Sequence, residues 1–486
     1  MRRPYPLAPD RRPDRSVPRA NERQRVPTPL IRRRIPSGRG AMEQPNVTGD
    51  DEFPLTLAFW GALVLTGVAT GLLGDAMMAI LFNLEHLAFG FRSGSFQAAV
   101  ARDSPLHRVA PLMVAGLIGG PAWYLLRRFT KGERSEIDDA IWSGDGKLSF
   151  RRSLGSSVIS EFVIGLGASI GREAAPKLLG GASASVLAGW AALRPAQRRL
   201  LVACGGGAGL AAVYNVPLGG ALFAAEILVG SVALPVVLPA LACSFIATAT
   251  AWFYLPEHAT YVNVPAYHFN AQLMVWALLI GPIAGLLAVG YIRIVAWVSH
   301  HRITGRPALF APFVAFTILG LIGIAYPQLF GNGKDMAHEA FLGIGSIGLF
   351  LALAALKPLV TSLCLGSGAS GGLFTPVMST GAVLGAGLGL AWSQLWPGAP
   401  AGAYALVGAS AMIGAGMQAP LAALALMLEL THGGFSIMVP MVAATAVATW
   451  VTRHIDGYSI YTGRLAAERQ EPVALRPHPE HEPNAA

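Results

Sequence analysis

The sequence predicts an all-α polytopic membrane protein with two structurally repeated halves and broken helices. Of its 486 residues, 53% are hydrophobic and only 13% are charged, whereas soluble domains average about 25% charged residues. Uncharged stretches cover residues 55–73, 233–255 and 273–289, and each is long enough to cross, or nearly cross, a hydrocarbon core of about 30 Å. Two similar glycine-rich breaks interrupt the hydrophobic sequence.

The two ends of the chain differ from its hydrophobic middle. Residues 1–52 form an Arg- and Pro-rich segment that carries much of the net charge of +9. This segment has no apolar h-region of a secretory signal, and its composition predicts a disordered tail whose arginines favour the cytoplasmic side. Nucleic-acid binding is disfavoured because no folded reader accompanies the tail. A translation start at Met42 is the alternative, and residues 466–486 form a second, short tail.

Residues typical of metal, cofactor or catalytic sites are scattered. The three cysteines are Cys204, Cys243 and Cys364, and their spacing matches neither a disulfide framework nor a metal site. The sequence also lacks a phosphate-binding loop, a zinc signature and a Ser/His/Asp set. We therefore expect no metal, no cofactor and no enzymatic activity.

The two breaks resemble each other. The first reads GASIGRE at residues 167–173 and the second reads GASGGLF at residues 368–374, so that Gly171 corresponds to Gly372, 201 residues later. Helices that are broken in this way inside a membrane leave backbone N–H groups free to bind an anion at mid-membrane depth. A repeated pair of such breaks is typical of transporters and channels.

A second pair of blocks extends the repeat. Residues 205–226 correspond to residues 408–429, with Pro217 matching Pro420 and Glu226 matching Glu429. We interpret this as a duplication with halves at about 53–265 and 266–465. Identity alone does not decide whether the halves are inverted, because that depends on the number of membrane crossings between them. The equivalent positions of Glu226 and Glu429 predict a shared structural role.

Three motifs in this order resemble those of the CLC family of chloride channels and chloride/proton exchangers. Gly171-Arg172-Glu173 is similar to the family's Gly-Lys/Arg-Glu-Gly-Pro turn, and residues 372–376 (GLFTP) match its Gly-x-Phe-x-Pro turn. Ser459-Ile460-Tyr461 resembles the segment that supplies a pore-lining tyrosine. The resemblance covers about 53–465, which is the whole predicted membrane domain.

The resemblance implies a homodimer in the lipid bilayer with a chloride pathway inside each subunit, and the short tails without an organellar signal predict the cell (inner) membrane. Glu173 would be the gate, because a carboxylate beside an anion site can occupy that site and leave it when protonated. The implied anion-binding residues are Arg172, Glu173, Leu373, Phe374 and Tyr461, with Gly132, Gly171 and Gly372 as further backbone positions. Leu373 and Phe374 would contribute amides, and Tyr461 its hydroxyl group.

The chain departs from the family pattern at three places. Ala174-Ala175 follows the gate where the family has Gly-Pro. The family's Gly-Ser-Gly-Ile-Pro motif, whose serine contributes a hydroxyl group to the central anion, is absent; if Gly132 takes the position of that serine, the site keeps backbone groups but loses the hydroxyl group. Ile227 stands where the exchangers commonly carry a second glutamate. The last difference favours voltage- or pH-gated channel-like conduction over tightly coupled proton exchange. The alternatives are a chloride/proton exchanger and a secondary carrier for another anion; an intramembrane enzyme and a non-transporting scaffold are disfavoured.

Several individual residues have competing interpretations. Tyr461 is the favoured pore tyrosine, and Tyr458 is its rival. Arg172 and Lys177 are expected to attract anions, although Lys177 also suits a cation that snorkels to the membrane interface. Lys357 lies alone in an apolar run, which suits either a pair with a buried carboxylate or a place in the anion vestibule.

Overall fold

The predicted all-α fold class is confirmed by a computed structural model. The structure describes residues 55–91, 94–133, 136–142 and 144–464, and the predicted tails at 1–52 and 466–486 lie outside these ranges. The α-helices before residue 265 are α1 Leu57–Phe89, α2 Phe96–Arg102, α3 Pro105–Phe129, α4 Ile137–Trp142, α5 Phe150–Gly165, α6 Ala174–Trp190, α7 Pro195–Tyr214, α8 Pro217–Leu222 and α9 Leu234–Ala251. A π-helical turn, Phe223–Val229, continues α8.

The remaining helices repeat much of this order. They are α10 Ala271–His300, α11 Ala311–Ala325, α12 Lys334–Leu342, α13 Ile347–Gly366, α14 Phe374–Leu395, α15 Ala401–Met417, α16 Pro420–Thr431 and α17 Met438–Ile455. The pair α6 and α7 packs closely together, as does the pair α14 and α15; α1 packs on α9 as α10 packs on α17. The predicted boundary of the halves near residue 265 stays a prediction.

Seven helices in the described ranges are long and apolar enough to cross a membrane. They are α1, α3, α9, α10, α13, α14 and the segment Phe435–Ile455 that contains α17. Four shorter apolar helices include Ala311–Ala325 and Ala401–Met417. Helices that are too short to span are expected where broken segments meet inside a membrane protein. The chain is therefore a multi-pass membrane protein.

The turns that end α7 and α15 show how closely the local structure repeats. Asn215 and Gln418 end these helices in the left-handed conformation, both with φ of 56°. The next helices begin at Pro217 and Pro420, where a proline is favourable because the first N–H groups of a helix have no partner within it. The same turn chemistry therefore starts α8 and α16.

Glu226 and Glu429 cap these two helices reciprocally. Glu429, on α16, accepts hydrogen bonds from the backbone N–H groups of Leu218 and Gly219 at 2.9 and 2.6 Å. Glu226 accepts from the equivalent N–H groups at the start of α16 at 3.3 and 2.7 Å. Each glutamate thus supplies the acceptor that the facing helix start lacks, and the predicted shared structural role is confirmed.

We expect Glu429→Ala to destabilise the protein, because it leaves two N–H groups without their acceptor. Hydrogen bonds to charged groups contribute about 1.5–3 kcal/mol each, so a loss of several degrees in the apparent melting temperature of the purified protein should follow. Glu257→Ala, on an exposed loop, is the control. Equal melting temperatures for the two variants would contradict the capping role.

Candidate functional site

The two glycine breaks meet each other directly. The N–H of Gly171 donates to the carbonyl of Gly372 at 2.8 Å, and the N–H of Gly372 donates to the carbonyl of Gly171 at 2.7 Å. The segments run antiparallel. Because equivalent residues bond each other, the contact has the symmetry of a local two-fold axis between the repeats. These hydrogen bonds also pair backbone groups that are no longer part of a helix, because unpaired backbone groups are costly inside a membrane.

Glycine is required at the start of each break. Gly167 and Gly368 occupy equivalent positions and have φ of 107° and 100°, a region that residues with a Cβ rarely adopt. The chain therefore leaves α5 and α13 in the same way, and each helix is followed by a short non-helical segment before α6 or α14 begins. The repeated glycines in the sequence reflect this backbone requirement.

The carboxyl group of Glu173 lies where the breaks cross. Its side chain is only 2% exposed, and its Oε1 accepts a hydrogen bond of 2.8 Å from the backbone N–H of Phe374. Phe374 is the first residue of α14, where N–H groups have no partner within the helix and the helix dipole favours negative charge. A carboxylate therefore occupies a position suited to an anion.

Two hydroxyl groups complete the surroundings of this carboxylate. The hydroxyl groups of Tyr214 and Thr375 each lie 3.2 Å from Oε2 of Glu173 and 2.6 Å from each other. Thr375 follows Phe374 in the predicted motif. Tyr214 was not among the predicted site residues; its only signal in the sequence is a polar group at the end of the apolar α7, directly before the turn at Asn215.

Arg172 places a positive charge beside the carboxylate without filling its site. It is 6% exposed, and its guanidinium carbon lies 5.0 Å from the centre of the Tyr214 ring and 5.7 Å from that of Phe82. Such cation–π contacts stabilise a desolvated guanidinium group. Arg172 is thus held against two aromatic rings, one of which belongs to the tyrosine that bonds Glu173.

Lys357 fastens the first break to the second half of the chain. It is 0% exposed, and its Nζ donates to the Ser169 hydroxyl at 2.8 Å and to the Gly331 carbonyl at 2.9 Å. The Gly331 N–H in turn donates to the carbonyl of Gly167 at 2.9 Å. The hydrogen bonds of Lys357 thus go to a hydroxyl group and to backbone carbonyls, rather than to a buried carboxylate.

Residues of the first half hold the second break in a comparable way. The guanidinium of Arg127, on α3, donates to the carbonyl of Gly368 at 3.0 Å. The hydroxyl of Ser160, on α5, donates to the carbonyl of Ser370 at 2.6 Å. Each break is therefore positioned by polar side chains from the opposite half.

Tyr461 is buried beside α6 and the π-helical turn. Its ring makes an edge contact with Phe223 at 5.9 Å between ring centres, and Nζ of Lys177 lies 4.5 Å from the ring centre of Tyr461. Tyr458 is only half-buried. Lys177 therefore contacts an aromatic pair, and Tyr461 is the more enclosed of the two tyrosines.

Other predicted residues lie apart from the hydrogen bonds around Glu173. Leu373 is fully buried and directly precedes α14. Gly132 lies in an exposed turn after α3 with φ of 84°, and Ile227 lies buried in the π-helical turn. The roles of Gly132, Leu373 and Tyr461 at an anion site stay predictions. Among the described residues, no group of three His, Cys, Asp or Glu side chains could hold a metal ion.

Comparisons with known proteins agree with the motif resemblance. The family model described as "Voltage gated chloride channel" matches residues 115–453. A protein of Ralstonia nicotianae named "Putative chloride channel protein ClcB-like" is 32% identical over 431 residues, which are 84% of this chain and 98% of that protein. "H(+)/Cl(-) exchange transporter ClcA" of Yersinia pseudotuberculosis is 27% identical, with 86% and 88% of the two chains covered. The crystal structure of a slow cyanobacterial Cl-/H+ antiporter has the same fold, with a TM-score of 0.73, 23% identity, and coverage of 84% and 97%.

The close approach of Glu173 to Gly372 generates a prediction. A Cβ at Gly372 would overlap the Glu173 carboxyl group, so Gly372→Ala should displace that carboxyl group from the Phe374 N–H, at a cost of up to about 1–3 kcal/mol of stability, and lower the apparent melting temperature. Gly348→Ala, in α13 with open space around it, is the control and should be neutral or stabilising. In a Glu173→Ala background the effect of Gly372→Ala should largely disappear. Equal effects of Gly372→Ala in both backgrounds would contradict this geometry.

Proposed function

This chain belongs to the CLC family of chloride channels and chloride/proton exchangers, and we propose that it carries chloride across the membrane with Glu173 as its gate. One observation carries the proposal: the Glu173 carboxylate accepts the N–H of Phe374 at the start of α14. This donor position suits a small anion, and here a tethered anion occupies it. The tethered carboxylate and a free chloride ion would compete for it.

Protonation of Glu173 would end that competition. The neutral carboxyl group is a weaker acceptor than the carboxylate, so it would leave the Phe374 N–H and admit chloride in its place. The hydroxyl groups of Tyr214 and Thr375, which now face the carboxylate, would then be available to the anion. Chloride would exchange part of its water shell for these donors, and flux should rise as the pH falls.

The donors around Glu173 suit passage rather than tight retention. The groups that bond the carboxylate are an amide and two neutral hydroxyl groups, while the ammonium of Lys357 is bonded to Ser169 and Gly331. Conduction requires a site that attracts the anion but also releases it. Neutral dipoles with a guanidinium nearby meet that requirement better than a fixed ammonium group at the centre would.

The remaining predicted site residues are assigned within the same proposal. Arg172 would raise the local positive potential that draws anions towards the gate. The amides of Gly171, Gly372 and Leu373 and the backbone at Gly132 would line the path, and Tyr461 would donate its hydroxyl to the anion. Tyr461 is favoured over Tyr458 because it is the more buried of the two and carries Lys177 over its ring.

Channel-like conduction is the first candidate for the transport mode. Ile227 provides no ionisable group at the position of the second glutamate, which favours voltage- or pH-gated passive flow. Proton-coupled exchange is the second candidate, because a similar protein is named an H(+)/Cl(-) exchange transporter. A carrier for another anion is a further alternative.

We also propose that the protein is a homodimer in the cell (inner) membrane, with no enzymatic activity.

Replacing Glu173 tests the gate. Glu173→Gln resembles the protonated acid but cannot ionise, so chloride efflux from liposomes that contain this variant should be independent of pH. The wild-type protein should show flux that increases with acidity. Glu257→Gln, the same change on an exposed loop, should behave as the wild type. A Glu173→Gln variant with the wild-type pH dependence would disprove the assignment.

The transport mode is tested by recording chloride efflux and external pH together in liposomes loaded with chloride. Channel-like conduction predicts efflux that dissipates the chloride gradient with no coupled proton movement. Protons moving against their own gradient during efflux would instead establish exchange. No efflux from folded protein would refute chloride as the substrate, and competition by fluoride, nitrate and organic acids would then identify the anion.

A further inference from the structure

A second buried acid lies close to the gate. Glu161, near the end of α5, is 0% exposed, and neither of its carboxyl oxygens has a hydrogen-bond partner among the described residues. Gly165, one turn later, packs against Leu81 and Leu84 of α1. Residues four apart share a helix face, so Glu161 faces α1 near the level of Glu85.

The charged groups around Glu161 connect it to the gate. Of the described charged residues, Arg172, Glu173 and Glu85 act electrostatically on its carboxyl group, and Arg172 is acted on by both Glu85 and Glu161. The guanidinium group of Arg172 therefore interacts with more than one carboxyl group. The helices packed against α5 carry further charged or titratable groups, which are Asp75 and His86 on α1, Lys177 on α6, and His107, Arg108, Tyr124, Arg127 and Arg128 on α3.

Three of these cations are already engaged elsewhere. Lys177 lies over the ring of Tyr461, Arg127 donates to the carbonyl of Gly368, and Arg108 donates to the carbonyls of Asp103 and Ile324 at 3.0 and 2.7 Å. Because Arg172 acts electrostatically on Glu161, it is the cation that is placed to stabilise an ionised Glu161.

A cavity lies beside two of the charged groups that act on Glu161. A cavity of about 180 Å³ is lined by Glu85 and Arg172 and, on its other walls, by His86, Lys334 and Asp335. Its volume is enough for several water molecules. Glu85 is half-buried, lines this cavity and acts electrostatically on Glu161.

The burial of Glu161 costs free energy, and this cost indicates a functional role. A carboxylate without a hydrogen-bond donor is far more expensive to bury than the neutral acid, and ionisable side chains inside membrane domains are functional by default. Two nearby carboxyl groups also resist ionising together. Sharing one proton between Glu161 and Glu173 would avoid that repulsion.

We propose that Glu161 exchanges the proton that neutralises Glu173 and is reloaded from the cavity through Glu85. The inference rests on the proposed role of Glu173 as the gate. In the step, one proton leaves a carboxyl oxygen of Glu161 and binds a carboxylate oxygen of Glu173. The negative charge moves to Glu161, where Arg172 stabilises it, and a proton from water in the cavity restores the neutral acid.

A purely structural role for Glu161 predicts different behaviour. As a fixed counter-charge for Arg172 it would affect folding and stability but would leave the pH dependence of transport in place. A proton-exchanging role changes the pH profile and leaves chloride affinity nearly unchanged. The two roles are therefore separated by a pH profile combined with chloride binding.

The test measures chloride efflux and proton movement in liposomes over about pH 4 to 8, where perturbed carboxyl groups titrate. Glu161→Gln should shift the midpoint of the pH dependence by about one unit or slow the acid-activated rise about tenfold, with chloride affinity preserved. In a Glu173→Gln background it should have no further effect. Glu257→Gln is the matched control.

Two results would overturn the proposal. One is a Glu161→Gln protein with the wild-type pH profile and rate. The other is a change in flux caused by Glu161→Gln that is equally large in the wild-type and in the Glu173→Gln background. If Glu161→Gln does not fold, Glu161→Asp decides, because it keeps an acid at a changed distance: a slowed or shifted response supports the proposal and a wild-type response refutes it. Absence of chloride flux in the wild type would instead refute the proposed function itself.

Discussion

The structure depends on the requirement that every backbone polar group inside a membrane be satisfied. Two interrupted helices would leave unpaired groups at their breaks, and here the breaks satisfy each other through the paired hydrogen bonds of Gly171 and Gly372. Each glycine also leaves the space that the Glu173 carboxyl group occupies. The two breaks therefore stabilise each other where they cross, and they leave one position at which a backbone N–H group can bind an anion.

The two halves form one functional unit because each contains parts that the other requires. Lys357 and Gly331 hold the first break, whereas Arg127 and Ser160 hold the second. The reciprocal caps on α8 and α16 follow the same rule. A half without its partner would leave helix starts and break carbonyls unsatisfied, which is expensive in a membrane. Duplication followed by mutual dependence explains why the matching blocks are the polar and glycine-rich ones.

The charges near the crossing are few and are held by aromatic and polar contacts. Arg172 lies against the aromatic rings of Phe82 and Tyr214, which hold its charge beside the crossing. The acids Glu85 and Glu161 both act on this guanidinium group, and Glu173 acts on Glu161. Because charges interact more strongly where water is excluded, protonation of one acid affects the others. This coupling is the physical basis of the proposed response to pH.

Sequence alone determined the helical membrane class, the two breaks and the family, because hydrophobic stretches and glycine requirements are local properties of the chain. It also placed Glu173 and Phe374 in equivalent turns, which the structure joins by a hydrogen bond. Only the tertiary structure decided which distant groups meet: Tyr214 reaches Glu173 from the end of α7, and Lys357 bonds Ser169. It also showed that Glu161 is buried with no hydrogen-bond partner among the described residues. Such contacts depend on how helices far apart in the sequence pack, and the pattern of residues within a single helix carries no information about that packing.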